Sequence, residues 1–68
     1  MNVSCGAIVD LVHPVVKGRG LVVNVDETRP YPVAVRIGRR TVWAKHDGVR
    51  VVFAASHPIA RLHSRLLG

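Results

Sequence analysis

The chain holds a single cysteine, three aromatic side chains and four carboxylates in 68 residues. Each shortage excludes something. With Cys5 alone there is no internal disulfide, so the chain is not a stapled secreted scaffold and suits a reducing cytoplasm. No basic residue adjoins Cys5 to activate it as a thiolate, and it reads as a small apolar filler near the first strand. No run approaches the roughly 20 apolar residues that span a bilayer. The opening MNVSCGAIVDLV lacks the basic start of a signal peptide, and Asp10 breaks its apolar run. The expected location is the cytoplasm, with no membrane partner.

Too few groups are present for catalysis. Asp26 and Glu27 are adjacent in a loop and point in different directions, a poor start for a general acid/base pair. Ser4, Ser56 and Ser64 lack a histidine and acid constellation, and Ser56 is better explained as a helix cap. Lys17-Gly18-Arg19-Gly20 has neither the spacing nor the following helix of a phosphate loop, and its glycines read as turn residues. His13, His46, His57 and His63 are scattered, and the last two miss the i, i+4 spacing of paired metal ligands. We expect no enzyme activity, no metal and no cofactor.

Positive charge and valine are abundant. The net charge is +6, the pI is near 11.2, and eight of the ten basic residues are arginine. Arginine's planar fork matches phosphate and carboxylate, and a domain this basic meets nucleic acid, an anionic surface or an acidic protein. The plainer alternative is that the charge keeps a valine-rich domain in solution.

The chain is short enough for one domain only, over residues 1–68. Valine-rich runs bounded by turn residues read as strands within residues 6–53. Gly6 to Val12 forms the first, Leu21 to Val25 the second, Val33 to Ile37 the third, Thr41 to Lys45 the fourth and Val49 to Phe53 the fifth. Gly38-Arg39 or Arg39-Arg40 makes the turn between the third and fourth. Asp47-Gly48 predicts a type I′ hairpin into the fifth. The period changes after Phe53, and residues 57–67 read as a helix with Ser56 as N-cap and Pro58 in the first turn. Ile59, Leu62 and Leu66 form its apolar stripe, with Arg61 and Arg65 on another side, and the helix is expected to cover an open end or edge of the sheet. Five short strands and a final helix fit a mainly β fold, a small SH3-like barrel, better than an OB-fold, in which a helix interrupts the strands.

That hairpin would place Lys45 opposite Arg50 and Trp43 opposite Val52. A two-residue turn before it also sets Arg36 on the Trp43 face. The candidate site is therefore Arg36, Trp43, Lys45 and Arg50 on the sheet, with Lys17, Arg19, Arg39 and Arg40 in connections that gather at one end. Asp26, Glu27 and Asp47 would gather at the other. A three-residue turn over residues 38–40 would instead bury Trp43 in the core.

The stretch GRGLVVNVDETRPYPVAVRIGRRTVWAKHDG combines a glycine before a valine strand, an acidic loop, a YPV strand entry and an aromatic strand ending in DG. It resembles small bacteriophage and prophage proteins with an SH3-like barrel. Gly38-Arg39-Arg40 departs from the acidic or amide-rich turn usual there. The resemblance implies an accessory role inside a bacterial cell, either handling nucleic acid or blocking a host protein.

Arginines beside an exposed tryptophan suit nucleic acid, where cations neutralise phosphate and the ring stacks on bases. The same residue types suit an acidic host protein docked on a Trp and Arg surface. A third reading is a homo-oligomer with a small-molecule pocket between subunits, encouraged by the small size and the nearly all-apolar first strand.

Overall fold

The computed structural model describes residues 3–12 and 17–67. The expected loop residues His13 and Pro14 lie outside that range. Five strands form one antiparallel sheet: β1 (Ile8–Leu11), β2 (Arg19–Val25), β3 (Val33–Ile37), β4 (Arg40–Ala44) and β5 (Val49–Phe53). Helix α1 (Pro58–Leu67) follows them. The strand order is β4-β3-β2-β1-β5, so the first four strands run as a meander and the last returns beside the first. The fold is a mainly β SH3-like barrel with a single C-terminal helix.

Alternation directs the packing. Ala7, Val9 and Leu11 from β1 and its approach, Val22 from β2, Val33 and Val35 from β3, and Val49 from β5 form the inner core. Val9, Val22, Val33 and Val35 are fully buried, each worth about 2 kcal/mol against exposure. Register shifts between Ile8 and Val9 and between Val22 and Asn24 bend the ladders, which curls a five-stranded sheet around so small a core.

A second, smaller cluster lies on the outer face, where Ile8 and Leu21 meet Ala60 of α1, with Val52 and Phe53 beside them. This explains the nearly all-apolar β1. It is covered inside by the barrel core and outside by the helix, and only Asp10 breaks the pattern.

Three local expectations are corrected. β4 and β5 do not form a hairpin: His46–Gly48 makes one 3-10 turn, closed by the Gly48 N–H donating to the Lys45 carbonyl. The Val12 N–H donates to the Gly48 carbonyl, which steers the chain across to β1. Among the described residues only Gly6 and Gly38 have positive φ, so Gly48 lacks the conformation a type I′ turn needs. The helix is capped by His57 and not Ser56, because the Ile59 N–H donates to His57 Nδ1 at 3.1 Å, and the His57 ring lies 4.7 Å from that of Phe53. The helix turns Ala60 inward and leaves Ile59, Leu62 and Leu66 exposed.

The glycines of the first connection also divide. Gly18 lies in the connection, but Gly20 is a strand residue of β2, at a point where an added Cβ would sit 2.5 Å from the Arg36 carbonyl oxygen. Close approach of β2 to β3 requires glycine there. Cys5 is exposed and fills no part of the core.

Candidate anion-binding face

The first group is organised by Asp10. In the β1 ladders Asp10 stands opposite Arg19 on one side and Arg50 on the other, so three outward side chains share a row. Arg19 Nε donates to Asp10 Oδ1 at 2.9 Å, and Arg50 Nη2 lies 3.6 Å from Oδ2. Asp10 is held below the usual carboxylate range, first by the hydrogen bond from Arg19 and further by Arg50, while Arg19 is raised by the same contact. One carboxylate thus fixes two guanidinium groups that remain largely exposed. Together with Lys17 and Gly18 they line an open depression whose apolar floor is Leu11 and Val12.

A second depression shares Leu11 and Val12 and leads to the aromatic side chains Tyr31 and Trp43. The Arg29 guanidinium lies 4.1 Å from the centre of the Trp43 ring, and Lys45 Nζ lies 5.5 Å from that of Tyr31. Both distances are within cation–π range. The loop between β2 and β3 makes this possible. Asp26 Oδ1 accepts from the Thr28 N–H at 3.1 Å and the Thr28 hydroxyl at 2.6 Å, forming a local turn, and the Asp26 N–H donates to the Pro32 carbonyl across its base. Asp26 is lowered below the usual carboxylate range chiefly by the Thr28 hydroxyl. Arg29 Nε sits 3.4 Å from Asp26 Oδ2, and Glu27 Oε1 lies 2.7 Å from His46 Nε2, which ties the loop to the 3-10 turn.

The expected cluster is divided by this geometry. The two-residue turn is Gly38-Arg39, with Gly38 at φ +61°, and it pairs Ala34 with Trp43 and Arg36 with Thr41. Arg36 and Trp43 are therefore on the same sheet face, as expected, in diagonal positions. Arg36 turns back, however, and its Nε donates to the Gly38 carbonyl at 3.2 Å. Trp43 is half-buried, neither a core residue nor an open ring. Lys45 is not opposite Arg50, because β5 pairs with β1, and Arg50 joins Arg19 and Lys17 instead. Arg39 and Arg40 are exposed at the turn and the start of β4.

Each pair of alternate connections has one point of contact between them. Gly18 of the first lies against Ile37 at the edge of the third, and Glu27 of the second meets His46 of the fourth. The second end is not simply acidic, since Arg29 and Lys45 share it with Asp26, Glu27 and Asp47. Three contributors were missing from the sequence-derived group: Asp10, Arg29 and Tyr31. A lone acid inside an apolar strand is a signal for the first; the other two depend on the loop fold.

Charge and aromatic rings arranged in this way define a basic SH3-like barrel with two adjoining surface depressions, one cationic and one aromatic. No family model, no curated protein and no solved structure matches the chain. Among the described residues no three His, Cys, Asp or Glu side chains are grouped to hold a metal ion. No described helix is long and apolar enough to cross a membrane.

Proposed function

We propose that the protein is a non-enzymatic binding module of phage type that takes nucleic acid along the joined depressions. The observation that carries this reading is their common floor of Leu11 and Val12, with Lys17, Arg19 and Arg50 at one end and Tyr31, Trp43 and Lys45 at the other. Phosphates meet the cations and bases stack on the rings, a division of labour that tolerates any base and favours single strands. Tyr31 is the more exposed platform, with Lys45 at 5.5 Å from its ring, whereas half-buried Trp43 carries Arg29 closer, at 4.1 Å.

Fluorescence anisotropy with labelled single- and double-stranded DNA and RNA over a salt series tests the reading. Single-stranded binding should weaken with a log–log slope of roughly −2, as expected for phosphate contacts from the three cations Lys17, Arg19 and Arg50. Tyr31→Ala should cost about tenfold, the lower part of the range for loss of one stacked base. Lys17→Glu with Arg50→Glu should abolish the salt-sensitive part. No binding at low salt rejects the proposal.

The Arg29 cover on Trp43 favours one second reading, an acidic host protein docked on the same surface. A covered ring suits broad apolar contact better than insertion of a base, and such an interface is less salt-sensitive than phosphate binding.

A further inference from the structure

Helix α1 turns its apolar stripe away from the barrel. Ala60 is 0% exposed against Ile8 and Leu21, whereas Ile59, Leu62 and Leu66 are 42%, 55% and 75% exposed. Their i, i+3, i+7 spacing makes one stripe about 10 Å long. Arg61 and Arg65, one turn apart, run along a neighbouring arc of the helix and are exposed. On the barrel side, His63 shares a cleft with Arg19 and Arg36, so cations bracket the helix. No aspartate or glutamate follows Asp47 in the sequence.

Charge and shape select the occupant of this stripe. A second copy would bring arginine-flanked helices together between bodies of net charge +6, which repel. A groove in a partner protein must rise on both sides of the helix it holds, and one side of α1 is already occupied by the sheet. A broad, yielding anionic surface can reach the leucines and arginines together.

We propose that α1 lies on the surface of an anionic lipid bilayer, with Ile59, Leu62 and Leu66 at the boundary between headgroups and acyl chains and Arg61 and Arg65 on lipid phosphates. The pattern fits an interfacial helix: apolar on one arc, arginine-rich on the next, and without acids. It is attachment and not insertion, since ten helical residues extend about 15 Å, half the thickness of the hydrocarbon core. The expectation of no membrane partner rested on the absence of a spanning segment, which leaves a surface-lying helix open.

The test is co-sedimentation of the full chain with vesicles of phosphatidylcholine alone or mixed with an equal part of phosphatidylglycerol. The protein should pellet with the anionic vesicles only. The double variant Leu62→Gln, Leu66→Gln keeps every charge and removes only the stripe, so its bound fraction should fall about tenfold. No pelleting with anionic vesicles overturns the proposal. So does pelleting that the double variant leaves unchanged, which would assign the attraction to net charge. A solution dimer that the double variant converts to monomer would also overturn it, by giving the stripe to a second copy. Tyr31→Ala should leave vesicle binding intact, keeping this inference separate from the nucleic-acid site.

Discussion

The barrel interior and helix α1 are both amphipathic, yet they use their apolar faces in opposite ways. Inside the barrel, Val9, Val22, Val33 and Val35 are completely enclosed by partners from several strands. On α1, Ala60 makes the buried contact among the described side chains, while Ile59, Leu62 and Leu66 stay exposed. Alternation in a curled sheet leaves an apolar face one place to go, because the strands close on each other. A helix laid on that sheet can rotate, and close approach to Ile8 and Leu21 selects its smallest residue. Periodicity identifies a face in both cases, but identifies its partner only in the barrel.

The sharpest contrast to test is packing around β2. Gly20→Ala would push a methyl group into the Arg36 carbonyl, Val35 and Ile37, all within 2.8 Å of the new atom. The cost should reach about 3 kcal/mol, the upper part of the overpacking range. The thermal midpoint should then fall by more than about 10 °C. Gly38→Ala has open space around it, and only its φ of +61° is unfavourable, so it should cost about 1 kcal/mol. Equal losses in thermal unfolding would mean that β2 and β3 can separate without resistance.

The next comparison concerns the two faces of α1. Ala60→Leu should overpack the outer cluster and lift the helix, costing about 1–2 kcal/mol. Leu62→Gln should stay within about 0.5 kcal/mol of the parent, as for other exposed positions. Circular dichroism through a denaturant series reads both the helix and the global transition. A Leu62→Gln loss as large as that of Ala60→Leu would place the leucine stripe against the barrel and remove the contrast.

Much of the fold is legible in the residues. Alternating valines mark the strands, Gly38 marks the tight turn, and Pro58 marks the helix start. The Asp47-Gly48 signal misleads because local turn chemistry competes with a long-range alternative: β1 offers β5 a complete ladder, and the Val12 N–H captures the Gly48 carbonyl. That crossover also divides the candidate site. Once β5 leaves β4, Lys45 and Arg50 cannot be cross-strand neighbours, and Arg50 meets Asp10. The loop that sets Arg29 on Trp43 is built from Asp26 hydrogen bonds whose turn is readable locally, but whose docking on β4 is not.

Asp10 supplies the smallest predicted effect and the one most specific to the cationic depression. Its carboxyl is held below the ordinary range by Arg19 and then Arg50, so the unfolded chain takes up the proton more readily than the folded one. The resulting stability is present at neutral pH and is lost as pH falls below about 4, through the lowered folded value. Asp10→Asn should therefore make the thermal midpoint less sensitive to acid, with the remaining dependence including Asp26, which is lowered in the same direction by Thr28. The substitution also removes a negative charge lying between two guanidinium groups. Single-stranded nucleic-acid affinity should rise about threefold at low salt, and the gain should shrink as salt screens it. Weaker binding by Asp10→Asn would show that the carboxylate holds Arg19 and Arg50 in place for the ligand, and that its positioning outweighs the charge it neutralises.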